Sequence, residues 1–571
     1  MAMTDPTKAP CYVSVKPSEP WFIRLKVGYS KELTDFCWER PGCKWDKVRA
    51  IWNIPVEFAV EVLDFVRATL GLDPEFIHGA AMPIKPEFPE ESFFENEDHA
   101  RRMVARVPRW MDARAYQRRH AWAASTQRIW IDGSEMGVGK AVIAMLTEQL
   151  RGGKTGVVVD TAGHRADWYN DRRRRKKLID DEFGRWWPDH PQTKAIETRA
   201  DARNTWAPIR IVSYNLLPDL VKGMEMGPMP DILTVDGEPP RAPVKHPLPD
   251  FVWFDEAHML QNPDVDWSRA ARKLVHEIAP KTNVLAMTGT LIPDNIMTVF
   301  NILDTLWPGR FGNKFDFGKV YSVAHTNDFG KSEYWGTNDA KAPELSRRLG
   351  WMSLRKTKKE IAHLLPPFDV RPRWIDDGKA ATRENEAMFF AQEAFANGAH
   401  HVTLVTHHRH LADSLCVRAV MGEIPYVKLT GELTPSQRSA EIRRAKDMPR
   451  CLIVATLHAI TTGVNLSFSP DVCFAEIYPR VVDMVQVLGR FHRMTSTEKT
   501  SIRILAVLGG DPLAELLMNK LKAVNAIMKP GVAESELGGA LDELATGGLT
   551  REQVNDLLRG AASNVSFDEF T

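Results

Sequence analysis

The feature that most constrains this chain is the recurrence of short apolar runs, each followed by a helix-like stretch. Between residues 99 and 368 the runs are "RIWI", "GVVVD", "IRIVSY", "FVWFDE" and "NVLAMT". After residue 369 they are "HVTLVT", "CLIVAT", "VCFAEIY" and "IRILAVL". Runs this short and apolar suit strands covered on both faces, and helical spacers suit crossovers between parallel strands. The pattern predicts an α/β chain with parallel sheets in two units, 99–368 and 369–529. The segment at about 223–250, rich in Pro and Gly, is expected as a surface insertion in the first unit.

Residues 1–85 read differently and predict a small α+β domain. "WFIRLKVGYS" precedes "PGCKWDKVRAIWNIP", where Trp45 and Trp52 flank a basic turn and Pro55 closes a hairpin. "VEFAVEVLDFVRATLGL" then has helical spacing. The stretch 86–98, inside a run rich in Pro and Glu, is expected as a linker, and 530–571 as a tail with one short amphipathic helix.

Composition bounds the function more than it names it. In 571 residues, Lys+Arg and Asp+Glu are both 74, so any nucleic-acid partner requires a local basic groove rather than a global charge excess. No apolar run reaches the roughly 18 residues of a membrane span, and no secretory leader pattern opens the chain. Six cysteines at 11, 37, 43, 416, 451 and 473 form no C-x-x-C pair, so reduced thiols of an intracellular protein are expected. The expected location is cytoplasmic in a bacterial or phage-infected cell, or nuclear if the source is eukaryotic. The "THHRH" cluster at 406–410 has no carboxylate or thiol spaced with it and is read as a loop rather than a metal site.

Three motifs carry chemistry. In "IWIDGSEMGVGKAVIAML" a strand runs through a Gly-rich turn into a helix. Backbone N–H groups of such a turn face phosphates, and the helix dipole adds to their pull. Glu135, Met136, Gly137, Val138, Gly139, Lys140 and Ala141 are the candidate cradle, with Lys140 reaching the β/γ-phosphates. The pattern departs from G-x-x-x-x-G-K-[ST] at Ser134 and at Ala141. In "FVWFDEAHM" an apolar strand delivers Asp255, a candidate Mg²⁺ ligand, and Glu256, a candidate activator of the attacking water. In "QVLGRFHRM", Gln486, Arg490 and Arg493 fall at i, i+4 and i+7, predicting one helix face with two arginines available to transition-state charge.

Taken together, these motifs resemble those of superfamily 2 helicase-type ATPases of the Swi/Snf-type DNA translocase family. "SEMGVGK" resembles motif I, "DEAH" motif II, "MTGTLIPDN" motif III, and "QVLGRFHRM" motif VI. "WPGRFGNKFDF" and "SLRKTKKEIAHLLPP" resemble family-specific segments at the end of the first lobe. "LTGELTPSQRSAEIRRAKD" and "ATLHAITTGVNLSFSPDVCFAEIYPR" resemble the approach to motif V and motif V with its sequel. "AYQRRH" resembles the glutamine motif, in which Gln117 would read adenine. "PGCKWDKVRAIWNIP" is similar to the HARP-type module of annealing helicases, which supports recognition of branched or forked DNA.

The resemblance implies two RecA-like lobes, with ATP and Mg²⁺ as cofactors and double-stranded, forked or branched DNA as partner. The N-terminal domain or the tail would also be available to a replication or recombination protein. Candidate DNA-contacting residues are Ser213, Tyr214, Thr288, Thr290, Thr461, Thr462 and Asn465, whose hydroxyls, amides and backbone groups would hold phosphates without reading bases. The basic run Arg172–Lys177 would extend that track. The implied function is an ATP-dependent translocase that remodels forks, anneals strands or moves branches. A strand-separating helicase and a weakly hydrolysing or non-hydrolysing DNA-binding scaffold are the alternatives. Ala141 lacks the hydroxyl that normally binds Mg²⁺, which predicts ATP binding with weakened turnover, since a water fills such a vacancy at some cost.

Overall fold

The computed structural model describes residues 10–507, apart from 18, 79, 163–167, 169–181, 206, 227–247, 293–295, 327–331, 376–378, 462–463, 478–479 and 494–498. The basic run Arg172–Lys177, Thr462, most of the expected insertion and the expected tail therefore lie outside the described residues. The chain divides into two compact units. One joins Met1–Gly133 to Gly139–Arg355; the other joins Ser134–Val138 to Lys356–Thr571.

The first unit begins with strands β1 (Tyr12–Val15), β2 (Phe22–Lys26), β3 (Lys44–Asp46), β4 (Ile51–Pro55) and β5 (Glu75–Phe76), ordered β3-β4-β2-β1-β5. The expected hairpin is β3–β4, with Trp45 directly opposite Trp52 and their rings 5.4 Å apart. Such a cross-strand aromatic pair fixes register, because a one-residue slip would leave the two rings on opposite faces. Helices Lys31–Trp38 and Ala59–Leu70 help form one core with Ile23, Leu25, Trp52, Ile54 and Val62. Ser30 caps the first helix by accepting from the Leu33 amide at 3.1 Å.

This small domain is joined to the rest of its unit by buried charge. Glu57 accepts from Arg348 Nη2 at 2.7 Å and Nε at 2.9 Å, and from Arg310 Nε at 3.1 Å. Arg348 also donates to the Tyr321 hydroxyl at 3.0 Å. Gly42, at φ +98°, is pressed so close that a Cβ there would sit 2.1 Å from the Arg310 carbonyl oxygen.

Seven parallel strands form the main sheet of this unit: β6 (Ile129–Asp132), β7 (Gly156–Asp160), β8 (Thr193–Ala195), β9 (Ile209–Ser213), β10 (Phe251–Phe254), β11 (Asn283–Met287) and β14 (Ser353–Leu354). Between β11 and β14, strands β12 (Val323–Thr326) and β13 (Ser332–Trp335) make a separate hairpin. The order β14-β6-β11-β10-β7-β9-β8 inserts β11 between the strand that feeds the Gly-rich turn and the strand that delivers Asp255. Five of the seven are the apolar runs expected from sequence. Val157, Val158 and Val159 are fully buried, each contributing about 1.5–3 kcal/mol by burial.

The second unit contains six parallel strands: β15 (Phe368–Ile375), β16 (His401–Thr406), β17 (Tyr426–Leu429), β18 (Cys451–Thr456), β19 (Asp471–Phe474) and β20 (Thr500–Val507). They are ordered β15-β20-β19-β16-β18-β17, and two hydrophobic clusters pack against them. The expectation of α/β units with parallel sheets and a small N-terminal α+β domain is met. Among the described residues no helix is long and apolar enough to cross a membrane, and all six cysteines are free thiols.

Candidate functional site

Parallel strands present all their carboxyl ends to one edge, where ligands of open α/β sheets bind. In the first unit this edge gathers Lys140, Asp255 and Glu256 with Ser213, Tyr214, Thr288 and Thr290. Helix Lys140–Arg151 starts beyond β6, with Lys140 at its first position and Gly139 at φ +92° as its N-cap. A Cβ on Gly139 would meet Gln117 Nε2 at 2.3 Å, and the positive φ favours glycine here whatever Gln117 does. The Gln117 carboxamide oxygen also accepts from the Arg114 amide at 3.0 Å and caps its own helix. Ala141 packs against the cluster containing Trp130 and Met145. A helix N-terminus of this length, glycine turns and a lysine fit a polyphosphate.

Asp255 and Glu256 follow β10. The Asp255 amide donates to Val159 O at 2.8 Å, and the Glu256 amide donates to Asp255 Oδ1 at 3.0 Å. Glu256 stands at φ 49°, ψ 49°, a left-handed conformation. For a non-glycine residue this costs about 1–3 kcal/mol and persists only where neighbours enforce it. Its carboxylate lies 3.4 Å from His258 Nδ1, and the same nitrogen lies 3.4 Å from Thr288 Oγ1. Thr288 Oγ1 accepts from the Thr290 amide at 3.1 Å. A chain of contacts thus runs from the Glu256 carboxylate through His258 to Thr288 and Thr290. The carboxylates suit a hydrated divalent cation held by Asp255.

Two residues that sequence reasoning missed brace this edge. Arg355 donates to Gly133 O at 2.8 Å and Gly289 O at 3.1 Å, tying the start of the Gly-rich turn to motif III. Asp160 is fully buried at the end of β7 and accepts from Trp168 Nε1 at 2.9 Å. Arg355 lies in a basic run that read only as family resemblance, and Asp160 carried no motif at all.

In the second unit the residues Ser134–Val138 pack against the segment after Arg355. The Lys356 amide donates to Ser134 Oγ at 3.1 Å, the Glu135 amide to Lys356 O at 3.0 Å, and the Lys358 amide to Glu135 Oε2 at 2.7 Å. Glu135 and Met136 are buried, with Met136 against Gly489. A Cβ on Gly137, at φ +81°, would lie 3.5 Å from Arg493 Cγ. Lys358 Nζ donates to His492 O. His492 is stacked on Phe368 at 4.6 Å, and its Nε2 lies 2.9 Å from Pro366 O. Burial, with the Lys358 charge beside it, pushes its pKa down to about 4.

The expected single face for Gln486, Arg490 and Arg493 needs correction. Helix Val481–Phe491 ends before Arg493, because His492 adopts φ −109°, ψ 99°. Gln486 and Arg490 are buried on the helix, and Arg490 Nε donates to Thr461 O at 3.0 Å. Arg493 lies beyond the helix, half-buried, donating to Val464 O at 3.2 Å.

The expected DNA residues divide likewise. Asn465 is half-buried, its Oδ1 accepting from the Ser467 amide at 3.1 Å. Ser213, Thr288, Thr290 and Thr461 are buried. Tyr214 is only 2% exposed, and its hydroxyl donates to Asp255 O at 2.7 Å, so its side chain faces the carboxylates instead of a DNA track. Glu476 accepts from the His407 and His408 amides at 2.7 and 2.9 Å, supplying the "THHRH" cluster with a carboxylate that sequence spacing concealed. Among the described residues no group of three or more His, Cys, Asp or Glu could hold a metal.

With this geometry in view, comparison with known proteins becomes specific. Residues 131–379 match the SNF2-related domain family. The SNF2-related segment starts in β6 and includes Lys140, Asp255, Glu256, Thr288 and Arg355. Over 335 residues the chain is 22% identical to the mouse (Mus musculus) "DNA annealing helicase and endonuclease ZRANB3", covering 51% of this chain and 30% of that protein. It is also 22% identical over 311 residues to the Xenopus laevis "SWI/SNF-related matrix-associated actin-dependent regulator of chromatin subfamily A-like protein 1", covering 48% of this chain and 32% of that protein. The chain thus spans about a third of the length of these relatives. Among solved structures, the Sulfolobus solfataricus SWI2/SNF2 ATPase core in complex with dsDNA aligns with TM-score 0.34 and 15% identity, covering 76% of this chain and 97% of that one.

Proposed function

We propose that the chain is a DNA-dependent ATPase of the Swi/Snf type that translocates on double-stranded DNA and remodels forked or branched structures. The observation that carries this reading is the meeting, at one sheet edge, of the Lys140 turn with Asp255, Glu256 and the His258–Thr288 link. Bound ATP with Mg²⁺ would supply a phosphoanhydride whose cleavage drives the motor. Lys140 and the N-terminus of its helix would hold the phosphates, and Asp255 the cation. Glu256 would take the proton from an attacking water. Arg493 is the candidate arginine for transition-state charge that the motif VI resemblance implies, and Arg490, tied to Thr461 O within the second unit, would hold that loop.

The names of the mouse and Xenopus relatives support the DNA side of this reading. The N-terminal domain, with its Trp45–Trp52 hairpin, is the candidate reader of branched DNA. Ala141 supports slow turnover.

The test is Mg²⁺-dependent ATP hydrolysis by wild type, Lys140→Ala and Asp255→Ala. Turnover in wild type and its loss in both variants support the reading. ATP binding without hydrolysis would favour the scaffold instead.

A further inference from the structure

We infer that Tyr214 is a positioning residue for hydrolysis, acting through the Asp255–Glu256 peptide; this rests on the ATPase reading above. Strands β9 and β10 are not neighbours, because β7 lies between them. Tyr214, the first residue after β9, therefore reaches across the end of β7, a span of about 10 Å between strand axes, to donate to Asp255 O at 2.7 Å. Among ordinary side chains, a rigid phenol with a terminal hydroxyl suits that span.

The other end of the same peptide unit is also held. The Glu256 N–H donates to Asp255 Oδ1 at 3.0 Å. With carbonyl and N–H both anchored, the plane of the peptide is held, and its orientation helps set the φ of 49° at Glu256. The left-handed backbone in turn sets the Glu256 carboxylate 3.4 Å from His258 Nδ1. Loss of the Tyr214 donor would free the carbonyl to turn, and Glu256 would relax towards negative φ, taking its carboxylate away from His258.

The test is Tyr214→Phe, which keeps the ring and removes only the donor. Two readouts are taken on the full chain: steady-state ATP hydrolysis, with Glu256→Gln as control, and amide hydrogen exchange of the segment 251–260. The expected result is a kcat lowered about tenfold or more with KM for ATP within about twofold, since only placement of the reacting group changes. Exchange at Glu256 should quicken by about tenfold, with the other strands unchanged. Unchanged exchange at Glu256 overturns the inference whatever the turnover. A fall in kcat accompanied by a matching loss of thermal stability also overturns it, since the ring would then only pack. An inactive wild type, or a Glu256→Gln variant as active as wild type, defeats the ATPase reading, and the exchange result still decides whether Tyr214 grips the peptide.

Discussion

The Glu57 carboxylate and the Arg348 guanidinium meet at 2.7 and 2.9 Å with neither side chain exposed, joining the N-terminal domain to the domain of the seven-stranded sheet by a buried ion pair. Burial alone would raise the Glu57 pKa, but Arg310 and Arg348 outweigh it and hold the carboxyl below its usual range. Glu57→Ala would leave two arginines buried without their partner, and the expected loss is about 3–5 kcal/mol. Removing Glu61, which pairs with Arg347 at the surface at 3.2 Å, should cost under about 1 kcal/mol. Denaturant unfolding of the two variants checks the contrast.

Ala141→Thr restores the hydroxyl absent from the Gly-rich turn. The expected gain in Mg²⁺-dependent kcat is about three- to tenfold, corresponding to about 1 kcal/mol of barrier. No gain would show that the cation's missing ligand does not limit turnover.

Arg490 and Arg493 should separate by readout. Arg490→Gln breaks the buried tie to Thr461 and is expected to lower both thermal stability and turnover. Arg493→Gln, half-buried and beyond the helix end, should leave stability within about 1 kcal/mol. Its turnover should drop by up to about a thousandfold if it meets phosphate charge. Equal melting and equal activity in both variants would contradict the assignment.

His492 carries a pH signature. Its folded-state pKa, about 4, lies below the ordinary 6.5, so the neutral ring is the one the fold accepts. Its contribution is present above pH 6.5 and is lost as pH falls towards 4, by up to about 3 kcal/mol at 1.36 kcal/mol per unit. His492→Gln should flatten that part of the stability curve, measured by urea unfolding between pH 7 and 4.

Much of this architecture is legible in the sequence because the central strands are solid apolar runs. Val157–Val159 and Phe251–Phe254 are accommodated only by a sheet covered on both faces. Strands β14, two residues long, and β15, which contains Pro372 and the three charged residues Asp369, Arg371 and Arg373, lack that signal. No local pattern marks Arg310, Arg348 and Glu57 as buried, and the 253 and 291 residues separating Glu57 from its partners hide their meeting. The helix stop at His492 has no Gly or Pro to announce it, so the i, i+4, i+7 spacing misled for Arg493. Tyr214 read as a candidate DNA contact at a strand end because its true partner depends on strand order, with β7 between β9 and β10, which no local pattern encodes.

The central claim is that hydrolysis at the Asp255–Glu256 edge is driven by duplex DNA. It is tested most directly by Mg²⁺-dependent ATP hydrolysis with no DNA, single-stranded, double-stranded and forked DNA. The account predicts stimulation by duplex and strongest stimulation by forks, all of it lost in Asp255→Ala. Absence of stimulation by any DNA, or stimulation by single strands alone, would contradict it.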